Sequence, residues 1–379
     1  MTNPIAVDDR DEKLESIPLR TVGSGSIQLP ALASKDALAN ADLDDAVDFI
    51  TKAVYSGDAD ALLVHRRSAL LADIGQLADR AYGDGDIAVE ARLHQLLYHL
   101  HTASLALPWC HDGLGVDHPV VREVRHIIES AWERHDRKRL ADLESSLPSL
   151  EAFPEWITQR VHSHPCNVGH PLFKFLRDEA SYDQLRFFFI QETPLEMYFG
   201  DIINIMMAGV YGSMKVELCG NFWDEMGRGE EPRMHRVMRL AMMKVIDIAP
   251  DRHLTHMSEY CLPELRLANM YFDAVRNRSK LAQALGMLLA TELMVPGRLE
   301  YQIDGWRRLG LSDDTLAYLL EHTVVDAEHA EGWMEHVIVP LLREYPGAMG
   351  DIVFGAERRL ENAGAVCDWF HDHFRARTP

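Results

Sequence analysis

The sequence has few cysteines, no long apolar run and no excess of positive charge. Its 379 residues include only 5 cysteines, widely spaced and without a CxxC pair. This excludes a zinc ribbon or a dense disulfide framework and fits a reducing compartment. The acidic N-terminus lacks the apolar stretch of a secretory signal, and no run of about 18 apolar residues predicts a transmembrane helix. A cytoplasmic protein that does not enter a membrane is therefore expected.

The charge balance excludes a nucleic-acid partner. The chain has 38 Lys and Arg against 59 Asp and Glu, a formal net charge of −21, and no run of basic residues. Phosphate binding needs a basic face, which this composition does not supply. A hydrophobic content of 47% is sufficient for a sizeable core. The 19 histidines are the unexplained feature.

The pattern of apolar residues predicts an all-α protein. Helical spacing recurs from about residue 36 onward, whereas the period-2 alternation of strands is nearly absent. Residues 1–35 mix Gly, Ser, Pro and charge, and are expected to form an arm that is flexible or strapped to the surface. A Pro-bearing stretch near residue 150 divides an N-terminal helical extension, 36–150, from a larger helical domain, 151–379.

The strongest chemical signal is a histidine and aspartate pattern in one segment. His322, Asp326 and His329 follow the spacing H-x3-D-x2-H in a predicted helix that begins near Ser312. At about 100° per residue they fall on one narrow stripe, and the neighbouring residues are largely apolar. Two imidazoles and a carboxylate are costly to bury without a partner. A metal is one explanation, and ligands without thiolate favour iron or manganese; a solvated polar stripe is the alternative.

Carboxylates on other segments would have to complete such a site. Glu192 and Glu196 share a face of the apolar segment YDQLRFFFIQETPLEMYFG, where a carboxylate is a candidate ligand or buried base. Glu225 ends the segment NFWDE, and His235 follows the Gly-rich loop after it. Because that loop can reverse the chain, Glu225 and His235 are expected to meet. Glu292, in an apolar helix, is interpreted as a supporting residue outside the ligand set.

Several phrases of the sequence carry a family resemblance. The segments QExxxE, NFWDEMGRG followed by MH, TELxxPGR and HxxxDxxHxxxW are similar to those of the heme-oxygenase-like diiron oxidases, also described as iron-containing redox enzymes. The resemblance runs from about residue 155 to the end and implies a heme-oxygenase-like helical bundle behind an N-terminal helical extension. In some members the second Glu and its His are one helical turn apart, whereas here they are ten residues apart. Whether Glu217 is an extra ligand, and whether Glu225 binds directly, stays open.

The resemblance also implies a metal-ligand set and two iron ions as the cofactor. The implied ligands are Glu192, Glu225, His235, His322, Asp326 and His329. Glu192, His235 and His329 would lie around one iron, and the other three around the second. O2 would be the co-substrate, and an external electron donor is expected.

The function implied by the resemblance is that of a non-heme diiron oxygenase. The leading hypothesis is N-oxygenation of a small amine or guanidine-like substrate, to an N-hydroxy or nitro product, in natural-product biosynthesis. One alternative is oxidative C–C bond cleavage of an amino or fatty acid on the same centre. Another is a non-catalytic helical protein that binds iron or heme. By family analogy a homodimer is possible.

Other polar and aromatic residues have simpler interpretations. His94, His99 and His101 resemble a metal cluster, but packing of a polar helix face against the larger domain is the favoured explanation. Trp223 is expected to face inward, and Trp223 and Tyr198 are candidates for the wall of a substrate pocket.

Overall fold

The computed structural model describes residues 46–54, 59–106, 115–142 and 147–376, without the side chains at 59, 62 and 324–328. Within these ranges every regular element is a helix, so the predicted all-α class is confirmed. The predicted arm, 1–35, and the first ten residues of the extension lie outside the described residues. No described helix is both long enough and apolar enough to span a bilayer.

The N-terminal extension contributes four described helices. They are Ala46–Val54 (α1), Ala59–Tyr82 (α2), Ile87–Ala103 (α3) and Pro119–Arg139 (α4). Asp86 caps α3 by accepting a hydrogen bond from the Val89 amide at 3.2 Å, and a proline in the first turn helps to start α4. α2 packs against both α3 and α4.

The larger domain contains twelve helices among the described residues. They are Phe153–Ser163 (α5), Pro171–Asp178 (α6), Tyr182–Glu196 (α7), Phe199–Met206 (α8), Gly212–Glu225 (α9), His235–Val245 (α10), Arg252–Thr255 (α11), Leu262–Arg276 (α12), Leu281–Arg308 (α13), Ala317–Gly332 (α14), Val339–Glu344 (α15) and Met349–Arg375 (α16). α13 runs through the middle of the bundle and packs against α6, α14 and α16. A Cβ on Gly286 of α13 would collide with the Ile352 carbonyl group, so only glycine permits the close crossing with α16.

The extension is docked on α12 by buried polar contacts. Arg266 donates to Glu90 at 2.7 Å, and Asn269 donates to the backbone carbonyl of His94 at 2.8 Å. His101 is fully buried and stacks on Phe272, with ring centroids 5.1 Å apart. These contacts confirm packing as the role of His94 and His101. One apolar core runs continuously from α1 to α16, and the predicted boundary near residue 150 lies between α4 and α5, within this continuous packing.

The helix with the histidine and aspartate pattern begins later than expected. The predicted start near Ser312 is wrong, because α14 begins at Ala317. The Ser312 hydroxyl instead accepts from the Thr315 amide at 3.4 Å in a preceding turn. After Gly332 the chain continues as a π-helical segment, Trp333–Ile338, before α15. Such widened turns inside helices occur frequently at functional sites.

Candidate metal centre

The Gly-rich loop between α9 and α10 brings Glu225 and His235 together. Glu225 is the last residue of α9 and His235 the first of α10, and Glu225 Oε1 lies 3.1 Å from His235 Nδ1. The expectation that these residues meet is confirmed. Gly227 makes the reversal possible, because its φ is +63° and a Cβ there would lie 2.5 Å from the Arg233 carbonyl carbon.

Replacing Gly227 by alanine is expected to destabilise the protein by about 1–3 kcal/mol, because the left-handed backbone and the backbone clash both oppose a side chain. Thermal unfolding measures the effect. Gly220→Ala in α9 is the matched control, since a Cβ there meets nothing within 4 Å; we expect it to be neutral or mildly stabilising. Equal melting temperatures for the two variants would contradict the role given to Gly227.

His322 of α14 completes a three-residue cluster with Glu225 and His235. One ligand atom from each residue lies within 4.8 Å of the others, and the rings of His235 and His322 are 4.4 Å apart between centroids. Nδ1 of His322 lies 2.7 Å from the carbonyl oxygen of Tyr318, so this nitrogen donates its proton to the backbone. Nε2 is then the unprotonated nitrogen, the arrangement that metal-binding histidines usually have.

The cluster has the polar chemistry of a cation site. Nδ1 of His235 is buried and lies 3.1 Å from Oε1 of the Glu225 carboxylate. Burial opposes ionisation of Glu225, but His235 and the other nearby imidazoles hold its pKa below the ordinary value. Burial likewise opposes a positive charge on His235. The effect of the Glu225 carboxylate is larger than that of burial, so the pKa of the imidazole is raised. A metal ion would replace this shared proton.

His329 lies about two helical turns beyond His322 in α14 and has different carboxylate neighbours. Its Nε2 is 3.0 Å from Oδ2 of Asp224, and its Nδ1 is 3.7 Å from Oε2 of Glu292. Oε2 of Glu292 is buried without a hydrogen-bond partner. Burial opposes the charged imidazole, but Glu292 and Asp224 outweigh it and raise the pKa of His329 to about 9. His329 and Glu292 thus form a second pair of nitrogen and oxygen donors.

Glu192 lies apart from the three-residue cluster, on the wall of a cavity. Its Oε1 accepts from Nε2 of Gln302 at 3.0 Å. Burial raises the pKa of Glu192 to about 7, although Arg239 favours the charged form. One turn later in α7, Glu196 accepts a hydrogen bond from the hydroxyl of Tyr318. α7 begins at Ser181 with a capping box, in which the Ser181 amide donates to the Gln184 side chain at 2.9 Å.

The cavity beside the cluster has a volume of about 100 Å³. His322, Glu192, Glu196 and Glu292 all line it, and the rest of the wall is largely apolar. A small molecule in this space would contact both the histidine helix and the carboxylate helices. The geometry thus provides the two parts of a catalytic pocket, a cluster of ligand-type groups and a cavity next to it.

The remaining predicted residues occupy other positions. Asp326 lies in α14, but its side chain is outside the described residues. Glu217 accepts from the Asn221 side chain at 3.0 Å and faces Gly332. The inward orientation expected of Trp223 is wrong, because 55% of this residue is exposed.

The grouping of the predicted ligands also differs from the expected one. The structure places His235 with Glu225 and His322, whereas the family resemblance put His235 with Glu192 and His329. Tyr198 is buried, but it is not among the described residues that line the cavity. Sequence reasoning gave Glu292 only a supporting role and did not consider Asp224. Two features of the sequence could have indicated them. Glu292 is an acidic residue in an apolar helix, and Asp224 directly precedes Glu225.

Comparison with known proteins places the helical domain in a family. Residues 186–364 match the model of a family described as iron-containing redox enzyme. This match confirms the family that the sequence motifs predict. The match spans the segments that hold Glu192, Glu225, His235, His322 and His329.

Other comparisons add little to this assignment. A solved structure that resembles the chain is a domain of unknown function with a heme oxygenase-like fold from Shewanella denitrificans OS217, at 16% sequence identity and a TM-score of 0.46. The likeness covers 61% of this chain and 95% of that one, and is too distant to indicate a function. No curated protein matches the sequence significantly.

Proposed function

We propose that the protein is a non-heme diiron oxygenase that uses O2 to oxidise the nitrogen of a small amine or guanidine-like substrate. The observation that carries the proposal is the cluster of Glu225, His235 and His322 beside a cavity, in a part of the chain that matches an iron-containing redox family. A set of imidazoles and carboxylates without thiolate suits iron. Oε2 of Glu292, which is buried without a hydrogen-bond partner, is a ligand atom that a bound metal would satisfy.

The residues divide into two neighbouring groups. Glu225, His235 and His322 would hold one iron. His329 and Glu292 would hold the other. Asp326 stays with Glu225 and His322, the group in which the family resemblance puts it. Asp224 keeps the His329 ring oriented through the 3.0 Å contact to Nε2. This division follows the observed neighbours of each histidine.

The proposed reaction converts an amine, O2, two electrons and two protons into a hydroxylamine and water. Bound iron would supply the reduction of O2, and an external donor would supply the two electrons. The chain itself positions the substrate and excludes water. Glu192 and Glu196 line the same cavity as His322 and can accept hydrogen bonds from an amino or guanidino group there. Glu192, with its pKa of about 7, is suited to accept a proton from the bound amine.

Iron content and product analysis test the proposal. Protein prepared without oxygen is expected to bind about two Fe(II) per chain, as a two-metal site requires, and to show a transient absorbance on exposure to O2. A nitro or N-hydroxy product supports N-oxygenation. An alkene, aldehyde or one-carbon loss would instead indicate oxidative C–C cleavage. A protein that binds no iron, or that binds heme tightly with the spectrum of an axial histidine, would refute the diiron proposal.

A further inference from the structure

Two arginines on the cavity wall have no role in the metal centre. Arg298 of α13 and Arg359 of α16 both line the cavity that contains His322 and Glu292. Arg359 is buried, with 4% of the residue exposed, and Arg298 is half-buried. Among the described residues, neither arginine forms an ion pair with a carboxylate.

The hydrogen bonds of these arginines are to neutral groups. Arg359 Nε donates to the hydroxyls of Thr291 at 3.0 Å and Tyr271 at 3.2 Å, and its Nη1 is buried without a partner. The described hydrogen bonds of Arg298 are to sulfur, with Nη1 3.4 Å from Met294 Sδ and Nη2 3.4 Å from Cys367 Sγ. Sulfur is a weak acceptor. Neither set of hydrogen bonds pairs the guanidinium with an anion, and a positive charge away from water is costly to leave unpaired.

The carboxylates of the cavity form their contacts with other groups. Glu196 accepts from Tyr318, Glu192 accepts from Gln302, and Glu292 lies beside His329. The fourth carboxylate, Glu264, is 2% exposed. Burial and the nearby Glu192 raise its pKa to about 8, against the opposing effect of the two arginines. No ion pair joins Glu264 to either arginine in the described part of the chain, so both guanidinium groups lack a direct carboxylate partner.

We infer that the substrate carries a carboxylate group and that Arg298 and Arg359 bind it in this cavity. The unpartnered Nη1 of Arg359 supplies a free donor, and a guanidinium is the side chain that best matches a carboxylate. Phe173, over which the Arg298 guanidinium lies at 4.7 Å from the ring centroid, holds that arginine in position. Apolar residues such as Phe188 and Leu195 supply the wall for the carbon skeleton.

This inference deepens the proposed function, since it concerns the substrate of the same site. It adds an anionic group to the amine, even though the net charge of the chain is −21. A plain carboxylic acid and an amino acid share the recognised group. The amino acid would also place an ammonium group among the cavity carboxylates.

Binding to the metal-free, full-length protein tests the inference without depending on iron. The probes are hexanoate, 2-aminohexanoate and hexylamine, which all have six carbons. The corresponding four-carbon probes are butanoate, 2-aminobutanoate and butylamine. Titration calorimetry and the shift in melting temperature measure binding. We expect at least one of the acids to bind and the amines without a carboxylate to bind at least about tenfold more weakly, the scale of one strong charged contact. Whichever of the two acids binds more tightly shows whether the substrate is an amino acid or a carboxylic acid without an amino group.

Arginine variants provide the matched comparison. Arg359→Gln and Arg298→Gln are each expected to weaken binding of the acid about tenfold or more, and Arg359→Lys to retain part of it. Arg358→Gln is the control, because Arg358 is the adjacent buried arginine but bonds to Asp136 at 2.8 Å, outside this cavity. Three results would each overturn the inference. One is acid binding that is unchanged in the folded Arg359→Gln and Arg298→Gln variants. The others are hexylamine binding as tight as that of the acids, and no binding of any acid. Failure of iron loading would refute the diiron proposal and leave these binding results standing.

Discussion

His322→Ala is expected to lose most of its iron and its turnover. His322 is the residue of α14 that joins Glu225 and His235 in the three-residue cluster. Its Nδ1 is committed to the Tyr318 carbonyl, so Nε2 is the donor that the substitution removes. Changes in residues that only orient a ligand already cost about 10–100-fold in metal affinity or activity, and removal of a direct ligand is expected to cost at least as much. Iron per chain and the rate of O2-dependent product formation measure the effect.

His336→Ala is the matched control for this experiment. His336 lies in the π-helical segment that follows α14, and its side chain is exposed. We expect this variant to bind iron and turn over like the unaltered protein. Circular dichroism of both variants verifies that the helices are intact. Full iron content and full activity in His322→Ala would show that the cluster is not the metal centre.

Glu292→Gln is expected to lose one of the two irons and to lower activity strongly. The substitution keeps the size of the side chain but removes the charge beside Nδ1 of His329, 3.7 Å away. It also has an effect that does not require iron. The Glu292 carboxylate is the principal cause of the raised pKa of His329, about 9, so in metal-free protein the variant should lower that pKa. Iron analysis and titration of the His329 ring by NMR give the two measurements.

Glu300→Gln provides the comparison on the same helix, since Glu300 is exposed on α13. This variant should bind both irons and leave the pKa of His329 unchanged in metal-free protein. If Glu292→Gln retains two irons while the pKa of His329 falls, Glu292 is an electrostatic neighbour of His329 and not a ligand. If neither quantity changes, the observed contact has no functional role.

Much of the candidate site could be predicted because its signals are local. The stripe of His322, Asp326 and His329 follows from the helical period, and the meeting of Glu225 with His235 follows from a Gly-rich loop. Local signals do not determine which groups face each other across helices. Glu292 was given only a supporting role, since its neighbour His329 comes from another helix. The sequence predicts Trp223 to face inward because it lies close to Glu225, yet the rotation of the helix between these two residues turns Trp223 outward.

The sequence by itself determined the all-α class, the family and most of the residues that could bind metal, since periodicity, loop residues and motif order are properties of short segments. Only the tertiary structure decided how those residues are grouped, that Glu292 faces His329, and that Arg298 and Arg359 share a cavity with the histidine helix. The reason is the crossing of α13 with α14 and α16. Contacts between residues far apart in the chain depend on how helices cross, and that geometry is set by side-chain packing over the whole bundle.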